Sequence, residues 1–383
     1  MARPGLASRL YAGEANINIV GRRKMWFTIA AALVLISIGS FLIRGFELGI
    51  EFAGGTSFSI PASANGTVLT KDRVNDAVHT AISAANPGAT VNAAQQVGEG
   101  KDASFTVRAS ALSPAEAEKA KAAMVADLGV KAENVSDSQV SPAWGGQVTQ
   151  QAIIGLLVFL VLVVGYLVIR FEWRMAVAAL ASLLLDLVLT AGVYSMVGFE
   201  VSPSTVIGFL TILGYSLYDV VVVFDKVQEN TRGITAGSSR TYAEATNLAV
   251  NQTLMRSLNT GLVALLPVGG LLFIGAGLLG AGTLKDLGLV LFVGMGFGVL
   301  SSILFAAPVL SALKDQEPKI KAHNARVLTR RANRSDDVAR GERTRPANAT
   351  DADVPAMAGG STPRPGARPA TRRGANNRPG GKR

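Results

Sequence analysis

The sequence predicts a membrane all-α six-helix bundle carrying a small extracytoplasmic α+β domain. Three observations predict it. Of 383 residues, 49% are hydrophobic and only 17% charged, where a soluble domain carries about 25%. Six apolar runs approach the ~20 residues that cross ~30 Å of hydrocarbon. A polar stretch of about 105 residues, long enough for a small domain, separates the first run from the second. Cysteine is absent and the two histidines, His79 and His323, are far apart. Disulfide and thiol chemistry are therefore excluded, and no metal site is expected.

The chain divides into an N-terminal segment (1–24), a first span (25–43), the outer domain (44–148), a five-helix membrane region (149–313) and a tail (314–383). The spans are Met25–Ile43, Gln151–Ile169, Met175–Val197, Pro203–Phe224, Ser257–Ile274 and Leu287–Leu310. No small-residue cleavage site follows the first, which argues against a signal peptide. Lys and Arg set orientation. Arg22, Arg23 and Lys24 precede span one, and Arg170 and Arg174 flank the link between spans two and three. Lys226, Arg232, Arg240 and Arg256 lie between spans four and five. With six spans all of these share the side of the basic tail. That side is expected to be the cytoplasm, with both termini on it. The outer domain and the links "GFEVSPS" and "GAGTLKD" then lie outside.

Within the outer domain, "IEFAGGTSFSI" has the pattern of a strand with glycine breaks. "TKDRVNDAVHTAISAA" places Val74, Val78, Ala81 and Ile82 at helical spacing. "ATVNAAQQV" and "ASFTVRAS" are strands joined by "GEGKD". "SPAEAEKAKAAMVADLG" is a helix capped by Ser113, with Pro114 in its first turn, Glu116 completing a capping box and Gly129 stopping it. "ENVSDSQV" supplies the last strand. The order β-α-β-β-α-β is that of a ferredoxin-like unit. It holds no catalytic motif, zinc spacing or phosphate loop, and no enzyme activity is expected.

The tail carries 17 basic and 7 acidic residues, which accounts for the whole net charge of +10. Rich in Pro, Gly, Arg and Asn, it buries too little apolar surface to offset ordering entropy and is expected to be disordered. It is either a solvated, topology-setting segment or a contact for anionic lipid or the ribosome.

The chemistry lies in charges placed within the spans. Asp186 sits near the middle of span three, where an acid costs about 2.5–3.5 kcal/mol. Asp219 sits roughly 9 Å inside span four, counted at 1.5 Å per residue from Asp225. Arg256 begins span five from the same side, so the two charges reach similar depth. At about 100° per residue, Thr205, Gly208, Tyr215, Ser216 and Asp219 share a face of span four. Ser182, Asp186 and Thr190 share one on span three, and Arg256, Asn259, Thr260 and Pro267 one on span five. A polar stripe must face protein or water. A static Asp219–Arg256 salt bridge is one reading, and a proton relay through Asp219, Arg256 and Asp186 is the other. Pro267 frees a backbone carbonyl and suits a bent helix. Gly269, Gly270, Gly294, Gly296 and Gly298 read as points of close helix contact.

Three segments, "GIEFAGGT" (49–56), "GYSLYDVVVVFDKVQEN" (214–230) and "RSLNTGLVALLPV" (256–268), resemble the signatures of the SecF family. The resemblance covers essentially Arg22 to Lys314. It implies a six-span bundle related to resistance-nodulation-division transporters. It also implies SecD as the other half, and action beside the SecYEG channel and, indirectly, the SecA ATPase on unfolded secretory polypeptides. The implied setting is the bacterial cell membrane. Protons are the implied coupling ion and no cofactor is implied. Asp219 and Arg256 match the family's membrane acid and base, and Asp186 matches an acid common in its third span. Tyr218 stands where the family usually has Asn, and Glu51 and Ala53 depart from its "GIDFTGGT". A structural adaptor without proton coupling and a half-size small-molecule exporter are the rival readings.

Overall fold

The computed structural model describes residues 16–64, 67–98, 103–278 and 282–343. Parts of "GEGKD" and "GAGTLKD", and the tail from 344, lie outside the described residues. Two compact units divide at Leu328, and the contacts discussed below lie in Met1–Leu328.

Among the described residues six helices are long and apolar enough to cross a membrane: Val20–Arg44, Pro142–Arg170, Trp173–Val197, Pro203–Ala236, Tyr242–Gly275 and Leu284–Lys314. Their outward faces are apolar, with Ile43 86% and Ile169 90% exposed. Leu167, Leu183, Leu213, Phe224, Val250 and Leu310 form the interior cluster. Gly294 and Gly298 let spans four and six approach closely. A Cβ at Gly294 would collide with Ile212, and one at Gly298 would lie 3.2 Å from Ser216 Cβ. Gly270 and Gly296 face open space, so close contact does not explain them.

The fifth helix starts at Tyr242 rather than near Ser257. Thr241 and Glu244 cap each other, and Ala245, Ala249 and Val250 are buried, so the helix is anchored before the apolar run begins. Arg256 therefore sits inside the helix, not at its head. Past Pro267 the helix widens into a π-helical stretch, Gly270–Leu278. A second such stretch, Ser302–Ala306, interrupts the sixth span.

Four strands form the outer sheet: β2 (Gly55–Pro61), β5 (Gln95–Val97), β6 (Ser104–Ala109) and β7 (Ser136–Val140), in the order β5-β6-β2-β7 with every pair antiparallel. Helices Lys71–Ala85 and Pro114–Leu128 bury Val74, Val78, Ile82 and Met124 with Phe58, Ile60 and Phe105 of the sheet. The capping box at Ser113–Glu116 is present and Gly129 is left-handed. "IEFA" differs from the expected strand: Ile50–Ala53 is a helical turn. Two glycines end it. Gly54 has φ +74 with Pro142 Cα 2.7 Å from any added Cβ, and Gly55 has φ +138 with the Ala109 carbonyl 2.5 Å away. The chain must reverse there between the second span and the sheet, which leaves no room for a side chain. Of the further strands, β1 (Glu47–Leu48) pairs in parallel with β8 (Glu200–Val201), and β3 (Ser63–Ala64) pairs antiparallel with β4 (Thr67–Val68).

The expected disorder is corrected for the first part of the tail, residues 318–343. Helix Pro318–Arg343 follows the sixth span. Ile320, His323 and Val327 are buried along one face of it. His323 Nε2 meets the Arg240 carbonyl at 2.9 Å, and Asn324 bonds Asp315 and the Tyr242 N–H. The composition of the whole tail hid this short anchored stripe.

Candidate functional site

The stripes of spans three and four face inward. Ser182, Asp186, Thr190, Thr205 and Ser216 are fully buried, and Asp219 is 2% exposed. Hydroxyls of neighbouring spans hold both acids. Ser216 Oγ donates to Asp186 Oδ2 at 2.5 Å, from span four to span three. Ser302 Oγ on span six donates to Asp219 Oδ2. Asp186 Oδ1 and the hydroxyls of Ser182 and Tyr215 are buried without a partner in the chain. A buried polar atom left unpaired inside a membrane helix bundle is a strong departure from the usual pairing. The interior is therefore polar, and it joins three spans at the depth of the acids.

Span five behaves differently. Arg256 is exposed, as are Asn259 and Pro267, while Thr260 is half-buried. The predicted Asp219–Arg256 ion pair is absent among the described residues. Arg256 donates instead to Tyr218 Oη at 3.4 Å, and Tyr218 is itself 50% exposed. The cause is rotational: Tyr218 lies about 100° around the helix from Asp219, on the half-exposed side, while Asp219 is buried. Arg256 follows the outward residue. Tyr218, the departure from the family pattern, is thus the arginine's partner.

Ser301 and Ser302 were missed in the sequence. The trace they left is the pair "SS" in "GVLSSILFAAPV", adjacent hydroxyls in an otherwise apolar run. Serines in helices usually bond back to their own turn, so nothing in the string singles them out.

A second charged cluster ties the outer sheet to the bundle. Arg108 of β6, 9% exposed, pairs with Glu200 of β8. Burial pushes the guanidinium below its ordinary value, and Asp286, Glu51 and Glu47 oppose that shift. A cavity of about 240 Å³ there is lined by Glu51, Arg108, Glu200, Ser202, Lys285 and Asp286. Among the described residues no group of His, Cys, Asp and Glu is arranged to hold a metal.

A six-span bundle with inward-facing acids and an outer domain defines a multi-pass membrane protein. The pattern of "Protein export membrane protein SecD/SecF, C-terminal" matches residues 120–316, and that of the "SecD/SecF GG Motif" matches residues 39–65. Protein translocase subunit SecF of Mycobacterium tuberculosis is 42% identical over 98% of this chain and 88% of its own length. The subunit of Streptomyces coelicolor is 44% identical over 99% of this chain and 98% of its own. The crystal structure of SecDF from Thermus thermophilus, a translocon-associated membrane protein, matches with a TM-score of 0.66 at 29% identity. The match covers 78% of this chain and 39% of that one. The chain belongs to the SecF family of protein translocase subunits, within the resistance-nodulation-division-like superfamily. It spans about two fifths of the SecDF chain that it matches.

Proposed function

We propose that this chain pairs with SecD and couples the proton-motive force to a late stage of protein export. The observation that carries the reading is the interior placement of Asp186 and Asp219, buried in two spans and paired with no cation of this chain among the described residues. Ionisable groups inside spans that face the bundle interior mark proton pathways, and each charge crossing the field gains about 2.3 kcal/mol per 100 mV. Asp219 is the primary relay acid, Asp186 the second, and Arg256 the cation that meets the relay at its rim. Tyr215, Ser216, Tyr218 and Thr260 support them. Protons are the coupling ion, and no cofactor and no enzymatic step are involved.

Partnership follows from the exposed stripe of span five. An arginine left to lipid costs about 2.5–3.5 kcal/mol, which a partner subunit would relieve, and this chain matches only about two fifths of the SecDF chains it resembles. The sheet order β5-β6-β2-β7 with two helices supports a ferredoxin-like domain, placed outside the cell by the basic links. Both termini then lie in the cytoplasm. The domain acts on unfolded secretory polypeptides leaving the SecYEG channel, to which SecA delivers them. The basic tail meets anionic lipid or the ribosome.

Asp219→Asn tests the reading in inside-out vesicles with assembled complex. Export stimulated by the proton-motive force is expected to be abolished while unstimulated export persists. A static role, favoured by the serine bonds that each acid makes across spans, predicts that Asn keeps the stimulation. That result would overturn the coupling.

A further inference from the structure

Span six carries two consecutive serines, and one of them, Ser302, serves two acceptors. Ser302 Oγ meets Asp219 Oδ2 and, at 3.0 Å, the carbonyl of Val299 one turn back. Ser301 Oγ instead meets the carbonyl of Gly298, at 3.2 Å. Both side chains are buried, Ser302 fully. The α-helical register gives way to the π-helical stretch Ser302–Ala306 at this point. Such stretches are single-turn irregularities found frequently at functional sites.

A hydroxyl holds one proton and donates it once. With Asp219 ionised, Ser302 must donate to the carboxylate, and the Val299 carbonyl goes without that bond. When the carboxyl takes up a proton, its own O–H donates to Ser302 Oγ. The serine proton then turns to Val299. Proton count is conserved: one proton enters from the gradient and one hydroxyl reverses direction.

We propose that Ser302 is a positioning residue that transmits the protonation of Asp219 to the backbone of the sixth span, at the place where its register changes. This rests on the relay reading of Asp219. The π-helical stretch is then the element that responds to proton uptake, and Ser302, its first residue, is the hydroxyl through which that span meets Asp219.

The test uses the assembled complex. Ser302→Ala is expected to lower proton-motive-force-stimulated export about tenfold, the scale of one lost hydrogen bond to a charged group, with unstimulated export unchanged. Ser302→Thr, which keeps the hydroxyl, is expected to restore it. Infrared difference spectra between acid and neutral pH supply the second readout. The carboxyl band that Asp219→Asn removes is expected at a new frequency in Ser302→Ala and at the parent frequency in Ser302→Thr. An Asp219 band that titrates but does not move in Ser302→Ala overturns this inference and leaves the relay standing. Absence of any Asp219 band that changes with pH sinks the relay and this inference together.

Discussion

Serine hydroxyls meet carboxylates in two regions of the molecule, and the two regions use the pair for opposite purposes. In the outer domain, Ser113 Oγ donates to Glu116 at 2.8 Å in full contact with water, at the start of a helix. In the bundle, Ser216 holds Asp186 and Ser302 holds Asp219, all away from solvent. The outer pair satisfies backbone donors that water would otherwise satisfy, and it sets a boundary. The inner pairs bring carboxylates where leucine would pack at no desolvation cost. The domain around the first pair is oil inside and polar outside. The bundle has aliphatic residues outside as well as in its core, and encloses its acids and hydroxyls among them. A polar pair in the first setting needs only a structural explanation. In the second it calls for a functional one.

The largest effect expected from this contrast falls on Arg256, which belongs to neither interior. Arg256→Met should abolish stimulated export by removing the cation at the relay's rim. Yet the isolated chain in detergent should keep its stability to within about 0.5 kcal/mol, as for a surface substitution. Thermal unfolding of the lone chain and export by the complex are the two measurements. A stability loss on the scale of a core substitution would place Arg256 inside the bundle and break the contrast.

Next in size is the contact that brings the serines to the acids. Gly294→Val on span six should destabilise the bundle by about 1–3 kcal/mol, because its side chain would strike Ile212 of span four. Gly214→Val on the outward face of span four meets nothing within 4 Å and serves as the control. Equal tolerance of both substitutions would mean that the four–six interface yields, and that Ser302 is not held in register with Asp219.

Much of this was legible in the string of residues. The six apolar runs gave six helices because length and hydropathy alone decide a crossing. The outer helices were legible from Val74, Val78, Ile82 and the Ser113 box, where local chemistry and packing agree. The inward stripes of spans three and four followed from helical spacing. What failed was partner choice. Asp219 and Arg256 share depth, but depth does not fix rotation, and Arg256 faces out with Tyr218. Ser302 escaped notice because its role depends on which span packs beside Asp219, a tertiary fact. Ile50–Ala53 escaped because tight reversal at Gly54 and Gly55, set by Pro142 and Ala109, forces a turn on residues with strand-like pattern.

The smallest expected effect sharpens the comparison from the water side. Ser113→Ala removes an N-cap, worth about 1 kcal/mol. Amide exchange across Pro114–Leu128 in the full chain should therefore quicken about fivefold, with Lys71–Ala85 unchanged. The pH dependence has a definite sign. Bonds from the Ser113 backbone and hydroxyl hold the Glu116 carboxyl below its usual value. A carboxyl lowered in the folded state stabilises fully above its unfolded value and loses that contribution as pH falls through the folded one. Protection of this helix should thus be flat at neutral pH and decline only below the ordinary carboxylate range. In Ser113→Ala that acid decline should shrink, because Glu116 has lost its hydroxyl donor. An acid decline of undiminished size in the variant would mean that Glu116 draws its stabilisation from elsewhere, and that the outer pair is not the local device that the inner pairs are measured against.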